Sequence, residues 1–454
     1  MRRIRNWERW GLAGLCLIIV AAIGLGWATH QRATTAQANT RTKVVFWHEM
    51  TGPAQQELLT LVKNFNHSQT KYEVVPEFEG NYNEAVQKII DTHGTDASPA
   101  VFQSMDISTS QLHHTGYTTP VQKFIDEDHY PVQKIASGAR AFYANKGVQL
   151  SMPFNTSQPV LYYNATLLKK YGITPPPVNP SYQDITRVAT QLMTRSHKKV
   201  QGITVEIYGW LFEQFLANSG ESLANREDGH AGTPTAVNFT GPAAVQTMQW
   251  IQTNLKRGSF VNYGAGANAV NNETASFLSG RLGMFLQSSA TIGQLTKGNP
   301  DKLGITYYPH PDGQKANGVA IGGASLWISN DKTTHVQRGA WDFIKYLLTA
   351  KNQAAWQVAT GYLALNKDSQ KEPELQALYQ KLPATKVPGE QLRAATPNNT
   401  NSGIFLQGLI QARILTQTAM EQIYQGSDPQ KALATAQKSM NSYISNNNRS
   451  NGYS

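Results

Sequence analysis

A chain of 454 residues, 40% hydrophobic and 15% charged, has an ordinary globular composition but is too long for one compact core, so two domains are expected. The formal net charge of +10 is partly local, because residues 1–38 hold five Arg and one Glu and leave 35 Lys and Arg against 29 Asp and Glu, or +6, for the rest. No block of Lys and Arg is interleaved with aromatics, which argues against a nucleic-acid partner. The single cysteine, Cys16, lies near the N-terminus, so the body has no disulfide framework, thiol nucleophile or cysteine-based metal site.

The chain begins with the basic "MRRIRNWERW", an apolar run from 11 to 28, and "AQA" at 36–38, the small-residue pattern that a signal peptidase reads. The 18 apolar residues would span roughly 27 Å as a helix, close to a bilayer core of about 30 Å. Residues 1–38 therefore read as a signal peptide or an uncleaved N-terminal membrane anchor, and the body as exported. Leu15 precedes Cys16 where a lipoprotein site wants a small residue.

From residue 41 strands and helices alternate: "KVVFW", then a helix over 52–69 with Leu58, Leu59, Leu61, Val62 and Phe65 at helical spacing, the strand "YEVVPEFEG", the helix "NEAVQKIIDTHG" and the strand "PAVFQSM". That series predicts a mainly parallel sheet covered by helices on both faces, with ligands taken at the carboxyl ends of its strands. A second unit of the same kind starts at "PVLYYNATLLKKYGI" and continues through the helix "YQDITRVATQLMTR" and the strand–helix pair in "GITVEIYGWLFEQFLANSG". "GAGANA" at 264–269 reads as a loop, the following segment as helix, turn, strand and the loop "QSSA", and the C-terminal part as almost wholly helical before a disordered tail at 448–454.

Five motifs, "FWHEM" at 46–50, "GNYNEA" at 80–85, "SMPFNTSQPVLYYN" at 151–164, "IGGASLWIS" at 321–329 and "TGYLAL" at 360–365, occur in an order and spacing that resembles the extracellular solute-binding proteins of ABC importers. Within that family the resemblance is strongest to members that take sn-glycerol 3-phosphate, and it runs from about residue 43 to 445. It implies an α/β, two-lobed periplasmic-binding-protein-like fold of the maltose-binding type, with the ligand enclosed between lobes joined by a hinge. On this basis lobe 1 is expected at 41–155 plus 322–361 and lobe 2 at 156–321 plus 362–447, with crossings near 155, 320 and 362.

The same resemblance implies the site, position by position. Tyr82 would cover the ligand, and Asp106, where the family has glutamate, would accept hydrogen bonds from a polyol. Ser157 and Ser288, in loops entering helices, would hold a phosphate with the backbone N–H of Gly323 and the hydroxyl of Tyr362. Arg413, in "LIQARILTQ", would be the fixed positive charge aimed at that phosphate. Tyr208 and Trp210 stand where an aromatic cage could take a quaternary ammonium. Read without the family, Asp106, Ser157 and Ser288 are plain helix caps, Gly322–Gly323 a bulge or hinge, and Arg413 a solvated helix residue.

The implied function is non-enzymatic capture of glycerol phosphate or a glycerophosphodiester such as glycerophosphocholine. Delivery is to transmembrane permease subunits, by a monomer with no cofactor or metal at the outer face of the membrane or in the periplasm. Two other readings compete. A sugar receptor would stack pyranose rings on Trp47, Trp210, Tyr162 or Tyr163, although an arginine buried against a neutral sugar would then lack a partner. An exported hydrolase would need metal ligands or a carboxylate pair, for which His113–His114, His129 with Asp126 and Asp128, and His48 with Glu49 are candidates without a recognised ligand spacing.

Overall fold

The computed structural model describes residues 41–298 and 303–450. The segment expected to direct export, residues 1–38, lies outside them. Among the described residues no helix is long and apolar enough to cross a membrane.

The first body is built on β1 (Thr42–His48), β2 (Tyr72–Phe78), β3 (Val101–Met105) and β4 (Thr118–Thr119). A hairpin of β5 (Ala144–Asn145) and β6 (Val148–Gln149) follows, then β7 (Met152–Ser157). The second body takes β8 (Pro159–Asn164), β9 (Gln201–Val205), β10 (Phe260–Val261), β11 (Leu282–Ser288) and β12 (Leu303–Thr306), after which β13 (Gly322–Ser329) returns to the first. The strand orders are β2-β1-β3-β13-β4, with β7 also on β13, and β10-β9-β11-β8-β12.

Parallel pairing holds for β2-β1-β3 and β10-β9-β11. In contrast to the expected mainly parallel sheets, β13 runs antiparallel to β3, β4 and β7, and β8 antiparallel to β11 and β12. These are the strands at which the chain changes body. A strand arriving from the other body has no crossover helix to impose its direction.

Local sequence accounts for the elements around these sheets. The helix Gly52–Ser68 buries Leu58, Leu61, Val62 and Phe65, while Leu59 is 42% exposed because it lies one residue, or about 100°, off that face. The helix Tyr182–Arg195 starts at a capping box in which Ser181 and Asp184 satisfy each other's backbone N–H. Two expectations are corrected: "GAGANA" is helical from Gly266 onward, and the helix Pro429–Ser450 carries the tail in order to Ser450. Asn448 there is buried and donates to the Pro234 carbonyl at 2.9 Å.

The chain passes between bodies at three places. β7 and β8 lie in different sheets, so the first passage is at 157–159. At the second, Val319 packs in the core of the second body and Ala320 and Ile321 in that of the first. The third is spread out: Leu363, Leu365 and Leu392 still pack with the first body, beyond the crossing expected near 362, and Leu406 and Leu409 join the second. Between them Gln391 ties the segment to the first passage, donating to the Gln158 side chain at 2.7 Å and to the Pro159 carbonyl at 2.9 Å.

Candidate functional site

At the hinge, strand pairing gathers four of the sequence candidates. Ser157, the last residue of β7, is the register partner of Gly322, and Ser288, the last of β11, is the partner of Pro159. The Leu363 N–H donates to the Thr156 carbonyl at 2.8 Å, which sets Tyr362 beside the same strand. Tyr362 lies parallel to Trp356, with ring centroids 5.9 Å apart. Gly323 has φ +114, and a Cβ there would lie 2.0 Å from the Asn155 carbonyl, so the close approach of β7 requires glycine. A Cβ on Gly322 would instead meet the Trp210 ring at 2.8 Å and the Ser157 hydroxyl at 3.3 Å. Gly322 is thus the glycine that lets an aromatic of the second body rest against the first.

Asn155, which sequence reasoning missed, organises this end. Its amide donates to the Tyr82 hydroxyl at 3.0 Å and accepts from Gln103 at 2.6 Å, and its side chain also pairs with Tyr362. Tyr82 opens the helix Tyr82–Thr92 and packs against the cores of both bodies. Burial raises its phenol well above the usual value, helped by the nearby Tyr362 and Glu49. Glu49 is itself buried, neither of its carboxyl oxygens has a hydrogen-bond partner among the described residues, and burial pushes its pKa up to about 9.

Ser288 does two things. Its Oγ accepts from the Ala290 N–H at 3.2 Å, realising the plain cap reading, and its own N–H donates to the Gln287 side chain at 2.8 Å. The Gln287 amide in turn donates to Glu206 at 3.0 Å and Glu273 at 3.1 Å, both buried. Burial raises Glu206 to about 7 and, with Glu206 beside it, Glu273 to about 8. Burial thus disfavours the charged form of both acids behind Ser288.

The other wall of the cleft is charged. The helix Gly209–Asn218 crosses Leu409–Tyr424 so closely that a Cβ on Gly209 would lie 2.7 Å from the Arg413 Cα. The contact brings Arg413 to Glu213, with Nε and Nη2 donating to its two carboxylate oxygens at 2.8 Å each. Asp106, in the turn after β3 of the first body, lies 3.7 Å from Nη1 of the same guanidinium. The Arg413 side chain is 13% exposed and both carboxylates 6%. Burial raises the pKa of Asp106 and of Glu213, and Arg413 opposes the rise in each.

Arg413 is therefore already neutralised, which corrects the expectation that a buried arginine here lacks a partner without a phosphate. Glu213 was missed, though "GWLFEQFLAN" gives a signal: a carboxylate inside a mostly apolar helix, which the fold buries all round. Tyr208 caps that helix, its ring 6.0 Å from that of Trp210, and burial raises its phenol pKa while Arg413 opposes the rise. The Trp210 Nε1 and the Tyr143 hydroxyl, the latter beside Asp106, are buried without a hydrogen-bond partner among the described residues.

Of the residues proposed for the competing readings, Trp210 and Glu49 lie at this site and most of the others do not. Trp47 is buried in a core cluster and donates to Glu77 at 2.9 Å, and Tyr162 is buried and donates to the Ser288 carbonyl at 2.8 Å, so neither offers a ring face to a sugar. The Tyr163 ring packs on Gly304, where a Cβ would lie 2.0 Å from its Cζ. His48 accepts from the Met50 N–H, Asp128 is taken up by Arg338, Lys345 and Trp341, and His129 stands in the left-handed C-cap of its helix.

Two α/β bodies joined by three strands of chain, with buried polar groups from both meeting in the cleft between them, define a ligand-enclosing binding protein. Residues 60–386 match the family of bacterial extracellular solute-binding proteins, and the chain belongs to it. It is 28% identical over 412 residues to the sn-glycerol-3-phosphate-binding periplasmic protein UgpB of Yersinia enterocolitica, covering 89% of this chain and 92% of that one. The UgpB of Pectobacterium atrosepticum is 27% identical over 410 residues, 88% of this chain and 91% of its own. Among solved structures, UgpB of Mycobacterium tuberculosis in complex with glycerophosphocholine superposes with a TM-score of 0.72 at 18% identity, covering 89% of this chain and 98% of that one. The sugar-binding protein MalE of Xanthomonas citri gives 0.76 at 17% identity, over 91% and 100%. The family and the maltose-binding type of fold expected from the sequence are both borne out.

Proposed function

We propose that this protein captures sn-glycerol 3-phosphate or a glycerophosphodiester between its lobes and hands it to the transmembrane subunits of an ABC importer. The observation that carries the reading is the division of the cleft into two chemistries. The Ser157 and Ser288 hydroxyls, the Gly323 backbone and the Tyr362 phenol gather at the hinge, backed by the acids Glu206 and Glu273 whose pKa values burial raises, which suits a phosphate. Across from them, Asp106 and the Glu213-bound Arg413 offer acceptors and donors in one place, which suits the hydroxyls of glycerol. A dianion set against two carboxylates sharing one arginine would be repelled, so the ligand lies with its phosphate toward the hinge. Tyr208 and Trp210 border the remaining space and can face a choline group. In this reading the protein acts as an exported monomer, held or released by residues 1–38, and it performs no chemistry on the ligand.

The test is calorimetric titration with sn-glycerol 3-phosphate, glycerophosphocholine and maltose, in parallel on Arg413→Ala. Binding of either phosphate ligand, weakened at least about tenfold in the variant, is expected from loss of a charge-assisted contact. Binding of maltose alone would overturn the assignment of ligand.

The sugar reading keeps one specific support, the compensated Arg413, because a site whose cation already has a carboxylate partner does not demand an anion. The same titration decides between them.

A further inference from the structure

His113 and His114, singled out in the sequence and unused by the site above, line a second cavity. Its volume is about 190 Å³ and both bodies form it. The first contributes Ser110, His113 and His114 from the helix Thr109–Thr115 and Asn145 and Lys146 from the β5–β6 hairpin; the second contributes the turn at 229–234 and residues 405–407. Asp106, Ser110 and His113 fall on one face of a helical stretch, with Arg413 3.7 Å from Asp106 at its start and the cavity at its far end. Seven residues of helix put the cavity roughly 10 Å from Asp106.

Its chemistry differs from that of the main cleft. Three residues that carry or can acquire positive charge converge on it, and none of the described residues lining it is Asp or Glu. His113 meets the Asn145 side chain at 3.1 Å and packs edge-on against Phe405. Burial, then the neighbouring His114 and Lys146, lower its pKa, and His114 Nδ1 lies 2.6 Å from the Ser110 carbonyl. The Ser110 hydroxyl, 1% exposed, lines the cavity and makes no hydrogen bond among the described residues. A buried hydroxyl without a partner is costly unless something accepts from it.

We propose that this cavity is a second binding site, for a tetrahedral oxyanion such as inorganic phosphate or sulfate, held by Lys146, His113, His114 and the Ser110 hydroxyl. The site is independent of which ligand fills the main cleft. Because both bodies wall it, an anion there favours their approach, and by linkage tightens the ligand bound next door.

Equilibrium dialysis of radiolabelled inorganic phosphate against the full-length protein, at fixed ionic strength and with and without excess glycerophosphocholine, tests this. Saturable binding is expected that survives the excess, falls at least fivefold in Lys146→Gly and about threefold in Ser110→Ala, and is kept in Lys146→Arg. Glycine suits the left-handed backbone of residue 146, φ +48, so that variant removes the cation without straining the turn. Absence of saturable phosphate binding overturns the proposal, and so does binding that is indifferent to both Lys146→Gly and Ser110→Ala. Displacement by glycerophosphocholine, with no response to the Lys146 variant, would place the anion in the main cleft and overturn it equally.

Discussion

The two walls of the main cleft solve the problem of burying polar groups in opposite ways. At the hinge the groups are neutral: serine hydroxyls, a glycine backbone, a tyrosine, and behind them the buried acids Glu206 and Glu273 bridged by one glutamine amide. At the Arg413 wall they are ionic, a guanidinium gripped at two points by Glu213 and approached by Asp106 from the other body. In the proposed function the neutral wall, held by backbone pairing, takes the charge of a ligand, and the ionic wall, held by its own charges, shares only hydrogen bonds with it.

The sharpest way to break this contrast is Glu213→Ala, which leaves Arg413 buried with only the distant contact to Asp106. It should cost about 3–5 kcal/mol in denaturant unfolding. A cost under about 1 kcal/mol would mean that the wall is not ionic in the sense used here.

For the neutral wall the test is pH. The folded-state pKa of Glu273, about 8, lies above its ordinary value of 4.5, so the folded state keeps a proton that the unfolded chain has released. Stability should therefore be undiminished below pH 4.5 on this account and fall as pH rises from there toward 8. Glu273→Gln should remove roughly 3 kcal/mol of that fall, measured as the difference in unfolding free energy between pH 5 and 9. A variant as pH-sensitive as its parent would show the acids to be ionised.

Gly323→Ala should cost at least about 1–3 kcal/mol from its backbone conformation alone, seen in thermal unfolding. Its target is the β7–β13 approach. The mildest change is Ser157→Ala, expected to weaken a phosphate ligand about two- to tenfold with stability unaltered, since one neutral hydrogen bond contributes about 0.5–1.5 kcal/mol. Equal loss of maltose binding would erase the distinction between the walls.

Much of this was legible in the sequence where local pattern decides. The helices Gly52–Ser68 and Tyr182–Arg195 follow from apolar spacing and caps, and of the candidates named from the motif resemblance, Tyr82, Asp106, Ser157, Ser288, Gly323, Tyr362, Tyr208, Trp210 and Arg413, the fold sets Ser157 and Gly323 on paired strands and Asp106 3.7 Å from Arg413. What escaped depends on long-range approach. Asn155 reads as a strand residue until Tyr82 and Gln103 arrive from 73 and 52 positions away. The pairing of Glu213 with Arg413 spans 200 positions, and no period in either helix announces it. Strand direction failed for the same reason: β13 owes its antiparallel course to where the chain returns from.

Ser157 and Gly323 belong to the strands by which the chain passes between its halves, and they are also among the residues proposed to hold the ligand. For a lineage of such proteins this has a historical consequence. A substitution among them alters motion and recognition together, so selection can seldom act on one alone. Drift in ligand preference would then accumulate first among the side chains around Tyr208 and Trp210, while the strands of the hinge stay as they were inherited.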